Sequence, residues 1–275
     1  MKNYLLIIRP FNCLFIGLAI LTGAWLNNSI SDLFTLIIAL ISGVFIAAGG
    51  YVINDFYDLP IDVVNKPRRI LPRGGIKPDY AYMYAMFLFV SGFSLSFFTG
   101  NMWAIIIAIV NSLLLYFYAK KLKKTILLSN LIISYTTGSA FLFGAVINAN
   151  VMNILPIFIY TFLYTLVREI VKDAEDEMGD RKVGIITLAT VFGEKKTVLF
   201  SLIPALILAL TLYLSYREEL ITEKFFTTIF LLYIIPLIII YFNLFLKITT
   251  SKLRETSGFM KLHMLLLLVV LFIIS

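Results

Sequence analysis

Long apolar segments dominate this sequence. Hydrophobic residues fill 60% of its 275 positions, and the mean hydropathy of +0.95 is far above that of soluble globular domains. A helix needs roughly 20 apolar residues to cross a hydrocarbon core of about 30 Å. Nine segments approach that length: 10–26, 33–53, 80–98, 102–118, 126–147, 152–171, 198–214, 225–246 and 259–275. None shows the period of two typical of membrane strands, so the sequence predicts an all-α polytopic membrane protein, a bundle of nine transmembrane helices.

The basic residues indicate which way the bundle faces. If the N-terminus is cytoplasmic, 21 of the 23 Lys and Arg residues fall on the cytoplasmic side, and only Arg217 and Lys224 fall outside. Cytoplasmic loops retain positive charge, so this division predicts a cytoplasmic N-terminus. The same loops account for the net charge of +7, and no nucleic-acid-binding signature accompanies it. We expect a single transmembrane domain over 1–275, with no nucleic-acid partner.

One acidic pattern, D-x-x-D-x-x-x-D, occurs twice. Its members are Asn54, Asp55, Asp58 and Asp62 in the first copy, with the amide just ahead of the pattern, and Asp173, Asp176 and Asp180 in the second. Each aspartate of the second copy lies 118 residues after its counterpart, and each copy follows an apolar segment. Four predicted spans separate the copies, so both should emerge on the cytoplasmic face. They would line one pocket if the second and sixth spans are neighbours.

Clustered carboxylates predict a bound cation. Like charges this close cannot all stay ionised unless protons or metals neutralise them, and oxygen ligands suit Mg²⁺ or Ca²⁺ better than zinc. In a helix, Asn54, Asp58 and Asp62 recur at every fourth residue and share one face. Pro60 and Gly179 predict that each helix frays within its motif. A single copy would suggest solvated loop residues, but two copies in the same register favour a site.

Cations flank both acidic motifs. They are Lys66, Arg68, Arg69 and Arg73 after the first motif, Lys120, Lys121, Lys123 and Lys124 after the fourth span, and Arg168, Lys172, Arg181 and Lys182 around the second motif. This mixture of signs predicts a bridging anion: carboxylates hold the metal, the metal holds phosphate oxygens, and Lys or Arg neutralises the remaining charge. No nucleotide-binding motif occurs, so a lipid diphosphate is the expected anion.

At these residues the chain resembles the UbiA superfamily of intramembrane prenyltransferases. The first acidic motif is followed by the family's N-x-P-x-R stretch, and the sequence opens with an R-P-x-N like that of the family. The further matching residues are Asn65, Pro67 and Arg69 after the first motif, Gly184, Thr187 and Leu188 after the second, and Arg9, Pro10 and Asn12 near the start. Ile70 and Ala189 stand where many members have proline, which affects loop shape more than metal binding.

Within the superfamily, the stretch 168–180 is most similar to the archaeal digeranylgeranylglyceryl phosphate synthases. The resemblance implies Mg²⁺-dependent transfer of a geranylgeranyl group from geranylgeranyl diphosphate to the free hydroxyl of geranylgeranylglyceryl phosphate, a step of ether-lipid synthesis. It predicts a protein of the cell membrane whose active site faces the cytoplasm, as the basic residues also indicate. The expected partners are geranylgeranyl diphosphate, a lipid-phosphate acceptor and membrane lipid.

The resemblance also implies a role for each site residue. We expect two Mg²⁺ ions, one held by Asn54 and Asp58 and the other by Asp176 and Asp180. The catalytic candidates, which would complete the metal shells, orient them or accept the hydroxyl proton, are Asp55, Asp62 and Asp173. The substrate-binding candidates are Arg69 and Lys123 for the diphosphate, Arg9 and Asn12 for the acceptor, and Lys172.

Several other polar and aromatic side chains lie in the predicted spans. Aromatic faces can stabilise an allylic cation, and the candidates are Tyr51, Tyr116, Tyr118, Tyr135 and Tyr164, although packing is the stronger interpretation for each. Asn111, Asn130 and His263 are interpreted first as residues that hydrogen-bond between helices or at the membrane interface.

Three other functions fit parts of the pattern. An aromatic prenyltransferase of the quinone or chlorophyll pathways would share the metal residues and differ in its acceptor. A divalent-cation transporter would also need acidic residues, but its ionisable groups should lie near the membrane midplane rather than at one mouth. A CDP-alcohol-type phosphotransferase is disfavoured because its D-G-x-x-A-R signature does not occur.

The predicted orientation can be tested by chemical labelling. In a Cys13→Ala background, cysteine at Asn28 or Glu219 is expected to react with an impermeant thiol reagent added outside intact cells, because both positions lie in predicted external loops. Cysteine at Lys77 or Lys123 should react only after the cells are permeabilised. The reverse pattern would place the acidic motifs on the outer face.

Overall fold

The computed structural model describes residues 2–27, 33–146, 154–182 and 184–274, and all regular structure in these ranges is helical. The chain divides into two compact units, Met1–Lys123 with Ser139–Ile154 and Lys124–Gly138 with Leu155–Ser275. The helices up to residue 145 are α1 (Lys2–Ile7), α2 (Pro10–Leu26), α3 (Leu33–Tyr57), α4 (Leu59–Asn65), α5 (Pro78–Phe97), α6 (Met102–Lys120), a 3₁₀ turn (Leu122–Lys124) and α7 (Leu128–Ala145). The later ones are α8 (Leu155–Lys182), α9 (Leu188–Phe192), α10 (Glu194–Arg217), α11 (Glu223–Ile229), a π-helical turn (Phe230–Ile234), α12 (Ile235–Leu246) and α13 (Thr250–Ile274).

The predicted class of all-α membrane protein is confirmed. Within the described residues, five helical stretches are long and apolar enough to cross a membrane: Leu33–Tyr57, Pro78–Phe97, Met102–Lys120, Glu194–Arg217 and Glu223–Leu246. The apolar helix α2 is shorter, at 17 residues. Helices also cover most of the other predicted segments, in α7, α8 and α13. That all nine segments cross the membrane stays a prediction.

The two acidic motifs end their helices differently. In the first, α3 stops at Tyr57 and α4 restarts at Leu59 with Pro60 in its first turn, so the predicted break is confirmed. In the second, the predicted break at Gly179 is wrong, because α8 continues to Lys182. A helical glycine costs only about 1 kcal/mol relative to alanine, and an ion pair of 2.7 Å between Arg181 and Glu177 spans this turn.

In the first unit, α2 and the C-terminal part of α7 make close contact at two glycines. A Cβ atom added to Gly23 of α2 would lie 2.1 Å from the Phe141 carbonyl oxygen of α7, and one added to Gly144 would lie 1.9 Å from the Ile20 carbonyl oxygen. Small residues allow such close backbone contact between apolar helices. One turn further on, the Asn27 side chain donates to the Ala145 carbonyl at 2.7 Å. The α2–α7 contact is therefore tight at its backbone.

Polar side chains join further helices within each unit. In the first unit Ser42 of α3 donates to the Gly92 carbonyl of α5 at 2.7 Å, and Asn111 of α6 bonds Ser139 of α7 at 2.9 Å. In the second unit the Tyr164 hydroxyl on α8 and His263 Nδ1 on α13 lie 2.6 Å apart. The interpretation of Asn111 and His263 as interhelical hydrogen-bonding residues is confirmed.

The α2–α7 contact gives a stability prediction. Gly144→Ala should destabilise the protein by about 2 kcal/mol, because the new methyl group must push two helix backbones apart. Gly258→Ala in α13 is a matched control, since no heavy atom lies within 4 Å of its added Cβ atom, and it should be neutral or stabilise by up to about 1 kcal/mol. Thermal unfolding in detergent measures both, and equal midpoints would contradict the prediction.

Candidate active site

The first acidic motif forms where α3 breaks into α4. Asn54 and Asp55 lie in the last turn of α3, Asp58 lies at the break and Asp62 lies in α4. Asn54 Nδ2 donates to Asp58 Oδ2 at 2.9 Å, as their one-turn spacing predicts. Asp55 and Asp62 are buried, with exposures of 8% and 4%. Carboxylates with so little water around them need positive partners.

Three cations from separate segments pair with these carboxylates. Arg9 lies 2.5 Å from Asp55, and Lys123 lies 2.5 Å from Asp58. Arg69 lies 2.5 Å from Asp62 and 3.4 Å from Asp55. We call these three aspartates and three cations the N-terminal cluster. Its positive and negative charges are equal in number, so each carboxylate has a positive partner.

A strained backbone conformation positions Arg9, and a hydrogen-bonded loop positions Arg69. Arg9 has a left-handed φ of 54° just before α2, a conformation that costs a non-glycine residue roughly 1–2 kcal/mol. Its guanidinium lies over the ring of Tyr51, 5.3 Å from the centroid. The loop that carries Arg69 is fixed by Asn3 of α1, which donates to the Gly75 carbonyl at 2.8 Å. Sequence reasoning missed Asn3, because no local signal marks a contact 72 residues away.

The structure thus brings most of the predicted residues of the first unit together. Arg9, predicted on the acceptor side, contacts Asp55 of the acidic motif directly. Asn12 lies within hydrogen-bonding reach of Tyr51 on α3 rather than in the N-terminal cluster. The roles of Arg9, Asn12, Arg69 and Lys123 towards substrate stay predictions.

The second acidic motif lies on unbroken helix in the second unit and is less tightly paired. Asn130 of α7 donates to Asp173 Oδ2 at 2.9 Å, which confirms Asn130 as an interhelical hydrogen-bonding residue. Asp176 is half exposed, and Lys172 Nζ lies 3.9 Å from its Oδ2 atom. Asp180 lies one turn further on and is partly buried. Identical sequence spacing has therefore produced different surroundings.

Asp173 has unusual electrostatics for a carboxylate. Burial raises its pKa to about 7, and the nearby Glu169 and Asp180 raise it too, against the Asn130 hydrogen bond and the Lys172 charge that lower it. At neutral pH such a group exchanges a proton readily, which suits an acid or base. The role of Asp173 as a catalytic residue stays a prediction.

Two pairs of residues in the acidic motifs have oxygen donors that suit Mg²⁺. Among the residues that the structure describes, no group of three or more His, Cys, Asp and Glu side chains could hold a metal ion. Mg²⁺ usually keeps several waters and uses one or two carboxylates together with substrate phosphates. Asn54 with Asp58, and Asp176 with Asp180, each supply oxygen donors one helical turn apart. These pairs fit the predicted ion, although Lys123 holds Asp58 in the present arrangement.

The aromatic candidates mostly pack against protein. Tyr164 is fully buried and hydrogen-bonded to His263, and Tyr135 meets Phe158 edge to face. Tyr116 hydrogen-bonds Tyr57 at 3.3 Å and lies below Lys120, whose Nζ is 5.5 Å from the ring centroid. These contacts support packing as the main role of Tyr135 and Tyr164.

Comparison with known proteins shows which family the chain is similar to. Residues 16–269 match the UbiA prenyltransferase family. The chain is 36% identical over 218 residues to the digeranylgeranylglyceryl phosphate synthase of Methanopyrus kandleri, covering 79% of this chain and 80% of that protein.

Solved structures agree with this match. One described as a digeranylgeranylglyceryl phosphate synthase in membranes superposes with a TM-score of 0.85 at 35% identity, covering 99% of this chain and 97% of the other. A UbiA homologue from Archaeoglobus fulgidus, bound to GPP and Mg²⁺, has a TM-score of 0.76 at 18% identity and covers 99% of both chains. At that identity it shows the shared fold alone.

The raised pKa of Asp173 predicts a pH-dependent stability. The folded protein keeps this proton up to a pH of about 7, whereas the unfolded chain releases it near the ordinary value of 3.8. The free energy of unfolding should therefore fall as pH rises between these values. Asp173→Asn cannot ionise and should remove this part of the slope, measured by thermal unfolding in detergent from pH 4 to 8. An unchanged slope would contradict the prediction.

Proposed function

The chain belongs to the UbiA prenyltransferase family, and we propose that it transfers a geranylgeranyl group from geranylgeranyl diphosphate to the free hydroxyl of geranylgeranylglyceryl phosphate. The product is digeranylgeranylglyceryl phosphate, a precursor of ether lipids. The observation that carries this proposal is the N-terminal cluster, where three carboxylates pair with three cations at the end of an apolar helix. The relatives named as digeranylgeranylglyceryl phosphate synthases support the choice of substrates.

Two pairs of residues would hold the metal. Asn54 and Asp58 would bind one Mg²⁺ and Asp176 and Asp180 a second. Bound Mg²⁺ neutralises the negative charge that develops on the diphosphate as the allylic C–O bond breaks. The Mg²⁺ and GPP bound by the Archaeoglobus fulgidus homologue support this part of the proposal.

The chain's own cations would bind the diphosphate. Lys123 and Arg69 contact carboxylates in the present arrangement, and on substrate binding each would exchange a carboxylate oxygen for a diphosphate oxygen. Because one anion replaces another, neither cation is left unpaired. Asp55 and Asp62, held by arginines, would orient Arg9 and Arg69 towards the substrate.

The bond changes require one proton acceptor. The allylic carbon loses the diphosphate together with the bonding electron pair and gains a bond to the acceptor hydroxyl oxygen. The hydroxyl proton then needs a base, and Asp173 suits this role because its pKa of about 7 allows it to take up a proton at neutral pH. The apolar surroundings of the spans would keep competing water from the cation.

The proposal includes an orientation. Nine spans with a cytoplasmic N-terminus would place both acidic motifs on the cytoplasmic side of the cell membrane. The division of the basic residues supports this orientation. That the two motifs line one pocket likewise stays a prediction.

Product identification tests the function. Purified protein with Mg²⁺, geranylgeranyl diphosphate and geranylgeranylglyceryl phosphate should yield digeranylgeranylglyceryl phosphate by mass spectrometry. Asp58→Ala and Asp176→Ala should each lower turnover at least about a hundredfold, a loss of roughly 2.7 kcal/mol of transition-state stabilisation. EDTA should abolish turnover, and the thermal midpoint of each variant checks that it is folded.

An aromatic acceptor is the matched comparison in the same assay. Faster prenylation of a hydroxybenzoate than of the glyceryl phosphate would replace the lipid assignment with the quinone-type alternative. Full activity of either aspartate variant would exclude the proposed role of its motif.

A further inference from the structure

A buried arginine on α8 lies outside both acidic motifs. Arg168 precedes Lys172 by one helical turn and falls inside the predicted span 152–171, with a side-chain exposure of 17%. Its ion pair joins it to Glu169, its neighbour in sequence. Its Nε atom is buried and has no hydrogen-bond partner among the described residues. An unmade hydrogen bond on a buried arginine is costly, so this Nε is a candidate contact for a ligand.

A second polar group on α8 also lacks a hydrogen-bond partner among the described residues. Thr165 lies three residues before Arg168, on the same face of the helix. It is only 2% exposed, and its hydroxyl has no hydrogen-bond partner among the described residues. Each unmade hydrogen bond of this kind costs about 1–3 kcal/mol, and a polar ligand would recover that energy.

The charges around Arg168 indicate the sign of the ligand. The Glu169 carboxylate pairs with Arg168, and Lys172 lies one helical turn after Arg168 on the same face of α8. A carboxylate thus already pairs with the arginine, and a lysine lies one turn away. An arginine fork and a lysine together form a common contact set for phosphate.

We propose that Arg168, together with Lys172, binds the phosphate of the lipid-phosphate acceptor, with Thr165 donating to the same ligand. This assignment rests on the proposed function and adds the residue that recognises its acceptor. The three cations of the N-terminal cluster are each paired with a carboxylate at 2.5 Å. The proposed function assigns Arg69 and Lys123 to the diphosphate, so the acceptor phosphate would bind other cations, and Glu169 is the anion that it would displace from Arg168.

The test compares ligands with and without phosphate. Binding of geranylgeranylglyceryl phosphate and of its dephosphorylated form is measured by titration of the purified protein, with no prenyl diphosphate present. Arg168→Gln combined with Glu169→Gln removes both members of the ion pair, so no buried charge is left alone. Wild-type protein should prefer the phosphorylated ligand at least about tenfold, or ~1.4 kcal/mol, and the double variant less than about threefold.

Two further variants control the comparison. Arg254→Gln removes an exposed arginine on α13 that pairs with Glu175 of α8 at 3.4 Å, and it should keep the full preference. Glu169→Gln alone removes the competing anion, so it should bind the phosphorylated ligand at least as tightly as wild type. If Glu169→Gln binds it more weakly, or if the double variant keeps the full preference, the proposal is wrong.

Kinetics separate this proposal from the proposed function. In the assay described above, the double variant should raise the Michaelis constant for geranylgeranylglyceryl phosphate at least about tenfold and that for geranylgeranyl diphosphate less than about twofold. A larger shift for the diphosphate would assign Arg168 to the donor and overturn the proposal. Wild-type protein that binds the acceptor without prenylating it would contradict the proposed function alone.

Discussion

The arrangement of the first unit depends on the neutralisation of its buried carboxylates. The end of α3 and the start of α4 carry Asp55 and Asp62 into surroundings with little water, where an unpaired carboxylate would cost several kcal/mol. Two arginines supply the positive charge that these carboxylates need, and both are held in place by backbone features that have no local explanation. Arg9 adopts a left-handed backbone conformation ahead of α2, and a loop clamped by Asn3 delivers Arg69. The apolar helices thus form a frame that holds these pairs together.

The second motif shows how the same spacing can give different chemistry. In the first unit Pro60 breaks the helix, so the chain turns and brings Asp62 towards Arg69. In the second unit α8 stays intact through Gly179, and its aspartates are spread along an unbroken helix. Asp173 is then buried enough for its pKa to rise to about 7, whereas Asp176 is half exposed. One motif holds its charges in tight pairs, and the other keeps a carboxylate that can exchange a proton.

Features set by neighbouring residues could be predicted from the sequence, and features set by distant contacts could not. Apolar runs predicted the helices, and Pro60 predicted the break after α3, because both act through their own backbone. The break at Gly179 was wrong because a glycine permits a turn without requiring one. The contact of Arg9 with Asp55 joins residues 46 positions apart. For Asn130 the sequence indicated the role, since a polar amide among apolar residues needs a partner, but not that the partner is Asp173.

Lys123 and Arg168 are both paired with a carboxylate, but Arg168 also has a nitrogen without a hydrogen-bond partner among the described residues. This difference bears on how an enzyme handles two phosphate-bearing substrates. A cation that already holds a carboxylate exchanges one anion for another, so the net gain on binding is small and release stays easy. Lys123 on Asp58 has this property, which suits a diphosphate that must leave after each turnover. Arg168 differs, because its Nε gains a hydrogen bond that it otherwise lacks. A site of that kind favours retention of its ligand, and retention is what a lipid acceptor requires while the bond to its hydroxyl forms.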